Sequence, residues 1–169
     1  MSMSGSGYSM SGKVSLKMRK ELVAPCGINC AICGRYLAMK YDVKRKGIMI
    51  PYCEGCRPRG RACATLKKRC SLILNNEIQF CFECDTFPCK DLKRLDQAYQ
   101  KFFHMSLVEN LKRIKKDGMA NFLKSQRKGS KCPKCGGIIS VHNGKCFRCD
   151  IDKMKKKGEI GRKNAPKKK

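Results

Sequence analysis

Fourteen cysteines in 169 residues, no tryptophan, and short helical periodicities that give way to closely spaced C-x2-C pairs predict a small metal-stabilised α+β fold. The expected architecture is an irregular domain of cysteine knuckles and short helices, followed by a C-terminal β-hairpin built round its own metal. The hydrophobic fraction of 41% includes the cysteines, and without them only about a third of the chain is apolar. A core that thin needs disulfides, metal or a partner to hold it.

The choice between disulfide and metal follows from compartment. MSMSGSGYSMSG at the start is Ser/Gly-rich and polar, with no apolar run of signal-peptide length. No stretch approaches the roughly 18 apolar residues of a membrane span. A cytoplasmic, reducing setting is therefore expected, where clustered thiols bind metal. An even count of 14 also suits seven disulfides, which is the competing reading.

Five segments are expected: a flexible leader at 1–24, a cysteine-rich metal-binding domain with a trailing helix at 25–104, a helical connector at 105–129, a metal-bearing hairpin at 130–151 and a basic disordered tail at 152–169. In the second, residues 30–41 suit a short helix with Ile32, Tyr36 and Met39 on its apolar side. Residues 44–61 read as loop. Residues 64–76 suit a second short helix burying Leu66, Leu72 and Leu74. After Pro88, the three-and-four spacing of Leu92, Leu95, Ala98, Tyr99, Phe102 and Phe103 predicts a helix of about 15 residues. Ser106 and Glu109 form the S-x-x-E start of another, with Leu107, Leu111 and Ile114 buried. Asp117-Gly118 ends it, and Met119, Phe122 and Leu123 open a third.

The last module is CPKCGGIISVHNGKCFRC at 132–149. Two C-x2-C pairs ten residues apart each form a knuckle, and a hairpin with strands near 138–141 and 145–148 brings Cys132, Cys135, Cys146 and Cys149 into a tetrahedron. Zinc favours that geometry and those soft ligands. The segment resembles the zinc-ribbon family. Four thiolates fill the coordination shell, so such a metal is structural.

The other ten are Cys26, Cys30, Cys33, Cys53, Cys56, Cys63, Cys70, Cys81, Cys84 and Cys89. Two four-cysteine zinc sites, about three ions in all with the ribbon, leave two over; a shared cluster takes all ten. An iron–sulfur cluster is the alternative cofactor. The C-x3-C-x2-C spacing of Cys26, Cys30 and Cys33 matches the radical-SAM motif, but the chain lacks the length and strand–helix alternation of that barrel. CGINCAIC at 26–33, CEGCR at 53–57, CATLKKRC at 63–70 and FCFECDTFPC at 80–89 together are similar to the cysteine-rich family called domain of unknown function 3795, over residues 25–92. The resemblance implies metal binding. It supplies no substrate and no catalytic residue.

Chemistry other than metal binding finds little footing. His104 and His142 have no evident partner, and no Ser/His/Asp set, phosphate-cradling glycine loop or paired carboxylate is present, so no catalytic residue is assigned. The formal charge of +26 favours a polyanion, with nucleic acid, RNA or DNA, the expected partner and an acidic protein the alternative. Candidate contacts are Arg57, Arg59, Arg61, Lys67, Lys68 and Arg69 in the cysteine-rich loops, and Lys112, Arg113, Lys115 and Lys116 on a helix. Phe147 and Arg148 in the ribbon are candidates for stacking on a base. A protein-interaction scaffold and a thiol or iron–sulfur redox sensor are the competing functions.

Overall fold

The computed structural model describes residues 16–58, 66 and 69–157. Among the described residues five α-helices form in chain order: α1 (Gly34–Lys40), α2 (Ser71–Leu74), α3 (Lys90–Phe103), α4 (Leu107–Gly129) and α5 (Ile151–Lys157). Single 3-10 turns at Lys20–Leu22, Cys30–Ile32, Val43–Lys46 and Cys81–Glu83 punctuate the loops.

The two long helices follow from the apolar spacing. Ser106 accepts from the Glu109 amide at 3.1 Å and starts α4 as its motif predicts. At Gly118 the backbone turns to φ 80°, ψ 161°, which breaks α4 into two helical pieces. A second cap comes from a distance. Asp96, in the middle of α3 and buried, accepts from Ser106 Oγ (2.9 Å) and from the amides of Leu107 (2.6 Å) and Val108 (3.1 Å). These are orphan donors of the first turn of α4, so one carboxylate fixes the corner between α3 and α4.

Four expectations are corrected. No strand forms among the described residues, and the expected β-hairpin is reduced to two isolated bridges, Lys131↔Ile138 and Ile139↔Cys146. The reason is length. The knuckle closed by Gly136 N–H to Cys132 O (2.8 Å) and the turn closed by Gly144 N–H to Ser140 O (2.9 Å) consume most of the residues between the cysteine pairs. The fold is thus mostly helical, not α+β. The leader does not extend to residue 24: Leu16, Leu22, Val23 and Ala24 are buried. Its first part, 1–13, lies outside the described residues. The tail at 152–169 begins as helix, because Ile151 and Met154, three residues apart, dock on the core and Met154 is buried. In the expected helix at 64–76, only Ser71–Leu74 is α-helical among the described residues. Ile73 is buried there, and Leu74 is exposed.

Two principal cores result. One surrounds α1 and gathers Leu37, Tyr41, Val43 and Ile50 with Ile138, Phe147 and Met154 from the C-terminal module. The other packs Leu92 of α3 and Leu107 and Leu111 of α4 over Cys26, Ile28, Leu66 and Cys81. The tight loop between them depends on Gly27. Its φ is +88°, and a Cβ there would lie 2.8 Å from Leu107 O and 2.8 Å from Leu111 Cγ. Asn110 Nδ2 donates to Gly27 O at 3.0 Å, so α4 rests directly on the CGINC backbone.

Candidate metal centre

Cys132, Cys135, Cys146 and Cys149 bring their sulfurs within 4.8 Å of one another. Among the described residues this is the one group of three or more His, Cys, Asp or Glu ligand atoms drawn so close. The Cys135 and Cys146 sulfurs are 3.6 Å apart. Sulfurs at the corners of a tetrahedron, each about 2.3 Å from a central zinc, lie about 3.8 Å from one another, so the spacing fits a four-thiolate metal site.

Backbone holds the group in place. The Gly137 amide donates to Cys135 Sγ at 3.4 Å, and the Cys146 amide donates to Asp150 Oδ2 at 3.1 Å. A Cβ at Gly137 would stand 3.2 Å from Cys135 Sγ and 3.3 Å from Cys146 Sγ, so a larger residue there would press on both sulfurs. Cys132 and Cys146 are buried, Cys135 is half-buried and Cys149 is exposed.

The surroundings shift the thiols in opposite directions. The amides of Cys135 and Lys134 pull Cys132 down to about 7. Burial pushes Cys146 up, and the hydrogen bond with Cys135, then burial, push Cys149 up to about 12. One thiolate forms readily, and further negative charge beside it is resisted. A divalent cation at the centre removes that resistance and deprotonates its ligands. The donor set therefore suits a metal, and a filled four-sulfur shell leaves no position for substrate.

The centre is not a separate bead. Val141 N–H donates to Ile32 O (3.0 Å), and Gly34 N–H donates to His142 Nδ1 (3.2 Å). His142 Nε2 lies 3.3 Å from Tyr99 Oη, and its ring meets Tyr99 and Phe103 edge-on. His142 thus has partners on two segments, the start of α1 and the end of α3, which its place in a turn sequence did not reveal. Burial, with Arg35 nearby, lowers its pKa to about 4.

Among the described cysteines of the N-terminal region, no three bring their sulfurs within that spacing. Cys26, Cys30 and Cys81 are buried; Cys33, Cys53, Cys56, Cys70, Cys84 and Cys89 are half-buried. Cys63 lies outside the described residues.

A comparison with protein families matches residues 22–94 to the family described as "Protein of unknown function (DUF3795)". Residues 22–94, somewhat under half of the chain, are similar to this family. The match spans the segment that the four cysteine motifs marked. No curated protein and no solved structure matches the chain. Within the DUF3795 segment, the glycine of CGINC is required by the close approach of α4, and its asparagine, Asn29, is wholly buried and accepts from the Ala31 amide at 3.0 Å to start the Cys30–Ile32 turn.

The candidate phosphate contacts divide. Phe147 is fully buried and its ring centroid is 6.3 Å from that of Tyr41, so it packs in the core and its expected role in stacking on a base is withdrawn. Arg57 is held by Val23 O (2.6 Å), Gln79 O (2.6 Å) and Gln79 Oε1 (3.1 Å), over the Phe80 ring at 4.6 Å. Partial burial lowers its pKa, and its guanidinium serves as a clamp between loops. Arg69 pairs with Asp91 at 3.3 Å. Arg59, Arg61, Lys67 and Lys68 lie outside the described residues. Lys112, Arg113, Lys115 and Lys116 are exposed on α4, with Lys112 bonded to Glu109 at 2.8 Å, and Arg148 is exposed beside the metal centre. No described helix is long and apolar enough to cross a membrane.

Proposed function

We propose that this chain is a zinc-braced binding module whose metals are structural and whose basic surface takes nucleic acid. The observation that carries the metal part is the four-sulfur group of Cys132, Cys135, Cys146 and Cys149. Its spacing suits zinc. Zinc at such a site contributes about 10–16 kcal/mol of apparent binding energy at neutral pH, more than a module of this size gains from its apolar core.

The nucleic-acid part rests on charge. The formal charge is +26, and Arg113, Lys115 and Lys116 stand in solvent along α4, with Lys112 beside them. Phosphate contact by such residues is strong, salt-dependent and independent of sequence.

Metal analysis of protein purified without added metal, read with its visible spectrum, tests the first part. Zinc and a colourless sample are expected; iron with broad visible absorbance would overturn it. For the second part, binding of labelled RNA and DNA should weaken steeply with salt, and a Lys115→Glu/Lys116→Glu chain should bind more weakly with a shallower salt slope. Affinity that ignores both salt and the charge reversal would sink the nucleic-acid reading and leave a protein scaffold in its place.

A further inference from the structure

We propose that Cys30, Cys33, Cys53 and Cys56 form one four-thiolate site, and Cys70, Cys81, Cys84 and Cys89 a second, each taking one divalent zinc-class ion. This rests on the metal-binding reading above and names the partners that sequence spacing left open.

The first argument is local shape. Cys30 and Cys33 flank a 3-10 turn closed by Cys33 N–H to Cys30 O at 3.0 Å. Cys81 and Cys84 flank a second closed by Cys84 N–H to Cys81 O at 3.3 Å. Both turns place two cysteines on one side of a tight bend, as a C-x2-C knuckle requires.

The second argument is what each knuckle faces. The amide of Cys56 donates to Cys30 Sγ at 3.3 Å, which docks the Cys53–Cys56 pair on the Cys30–Cys33 turn. An amide aimed at sulfur from the next knuckle favours the thiolate that a metal requires. Arg57, the next residue, is tied to Val23 O and Gln79 O, so this docking is anchored on both sides. Cys70 and Cys89 immediately precede α2 and α3. Arg69, next to Cys70, pairs with Asp91, two residues past Cys89, and Cys70, Cys81 and Cys89 lie in one apolar cluster that Cys26 and Cys56 also join.

Cys30, Cys33, Cys70, Cys81, Cys84 and Cys89 form no disulfide. A central dication turns the mutual repulsion of each set into attraction.

The test uses the full-length, zinc-loaded chain. Native mass spectrometry gives the metal count. Stepwise chelation with alkylation of released thiols, read molecule by molecule, gives the grouping. Three zincs are expected. Cys30, Cys33, Cys53 and Cys56 should become reactive together, and Cys70, Cys81, Cys84 and Cys89 should do so as a separate block. A Cys30→Ser/Cys53→Ser chain should lose one zinc, and a Cys30→Ser/Cys81→Ser chain two. Release of all eight thiols in one step from the wild-type chain, or blocks that mix the sets, would overturn the pairing. Zinc at the Cys132 centre alone would overturn it too and leave the metal-binding reading standing. A chain that binds no zinc anywhere would end both.

Discussion

The amide of Gly34 donates to Nδ1 of His142 at 3.2 Å, across 108 positions of sequence. An acceptor nitrogen carries no proton, so the neutral ring bears its hydrogen on Nε2, facing Tyr99 Oη. Protonating Nδ1 breaks the bond to Gly34 and charges a ring set between Tyr99 and Phe103.

That arrangement predicts acid sensitivity. The folded pKa of about 4 lies below the usual 6.5, so between these values the unfolded chain binds more protons than the folded one. Stability contributed by neutral His142 is present above about pH 6.5 and is lost as pH falls toward 4, by up to roughly 3 kcal/mol. Denaturant unfolding at pH 7 and pH 4.5 should show a larger loss in wild type than in His142→Gln. Equal losses in the two chains would refute it, and the comparison cancels protonation of the cysteine ligands.

Gly27→Ala should cost about 2–4 kcal/mol, because φ +88° strains alanine and its methyl collides with Leu107 O. Gly47 has φ +80°, and a methyl group there would meet nothing within 4 Å, so Gly47→Ala isolates the strain and should cost about 1 kcal/mol. Equal midpoint shifts in urea for the two variants would show that the contact with α4 is not what requires glycine.

Asp96→Ala removes the shared acceptor of Ser106, Leu107 and Val108 and should cost about 2–4 kcal/mol. Asp96→Asn keeps an amide oxygen and should cost less. Hydrogen exchange should quicken first at Leu107 and Val108; unchanged protection there would rule the cap out.

Arg57→Ala should lower the melting temperature, since it unties Val23 from Gln79 and bares the face of Phe80. Arg113→Ala, on the exposed side of α4, should leave the melting temperature within error. The reverse order would mean that Arg57 belongs with the solvent-facing cations after all.

Replacing Cys132 and Cys146 by serine should disturb more than the four-cysteine centre. Phe147 and Ile138 fill the core around Tyr41 and Leu37, so near-ultraviolet circular dichroism from the tyrosines should fall along with any metal the centre holds. Loss of metal with the tyrosine bands intact would show that residues 132–149 fold apart from the rest.

Much of the helical frame was legible because α3 and α4 bury one face each. The spacing of Leu92, Leu95, Tyr99, Leu107 and Leu111 is enough to place them, and Ser106 marks the boundary. Asp96 was overlooked although the same periodicity sets it on the apolar side of α3, beside Leu92 and Tyr99; a carboxylate on that face asks for buried donors. α5 was hidden by its lysines, which outweigh Ile151 and Met154 in any composition argument. The ribbon cysteines were legible as a set because only one closure is available to two pairs so near in sequence. The partners of Cys30 and Cys81 were not, because C-x2-C specifies a turn and the chain's longer path decides what the turn meets. Phe147 looked available for stacking on a base because nothing beside it in sequence announces Tyr41.

The seating of Phe147 and Met154 against Leu37, Tyr41 and Ile50 bears on how the chain is made. These partners emerge from the ribosome roughly a hundred residues apart, which at about 5–20 residues per second is on the order of 5–20 s of synthesis. Through that interval the surface around α1 waits without its lid, open to chaperones and to sticking to other nascent chains. Early capture of metal by the first cysteines would shorten the exposure only in part, since Phe147 and Met154 are translated long after α1.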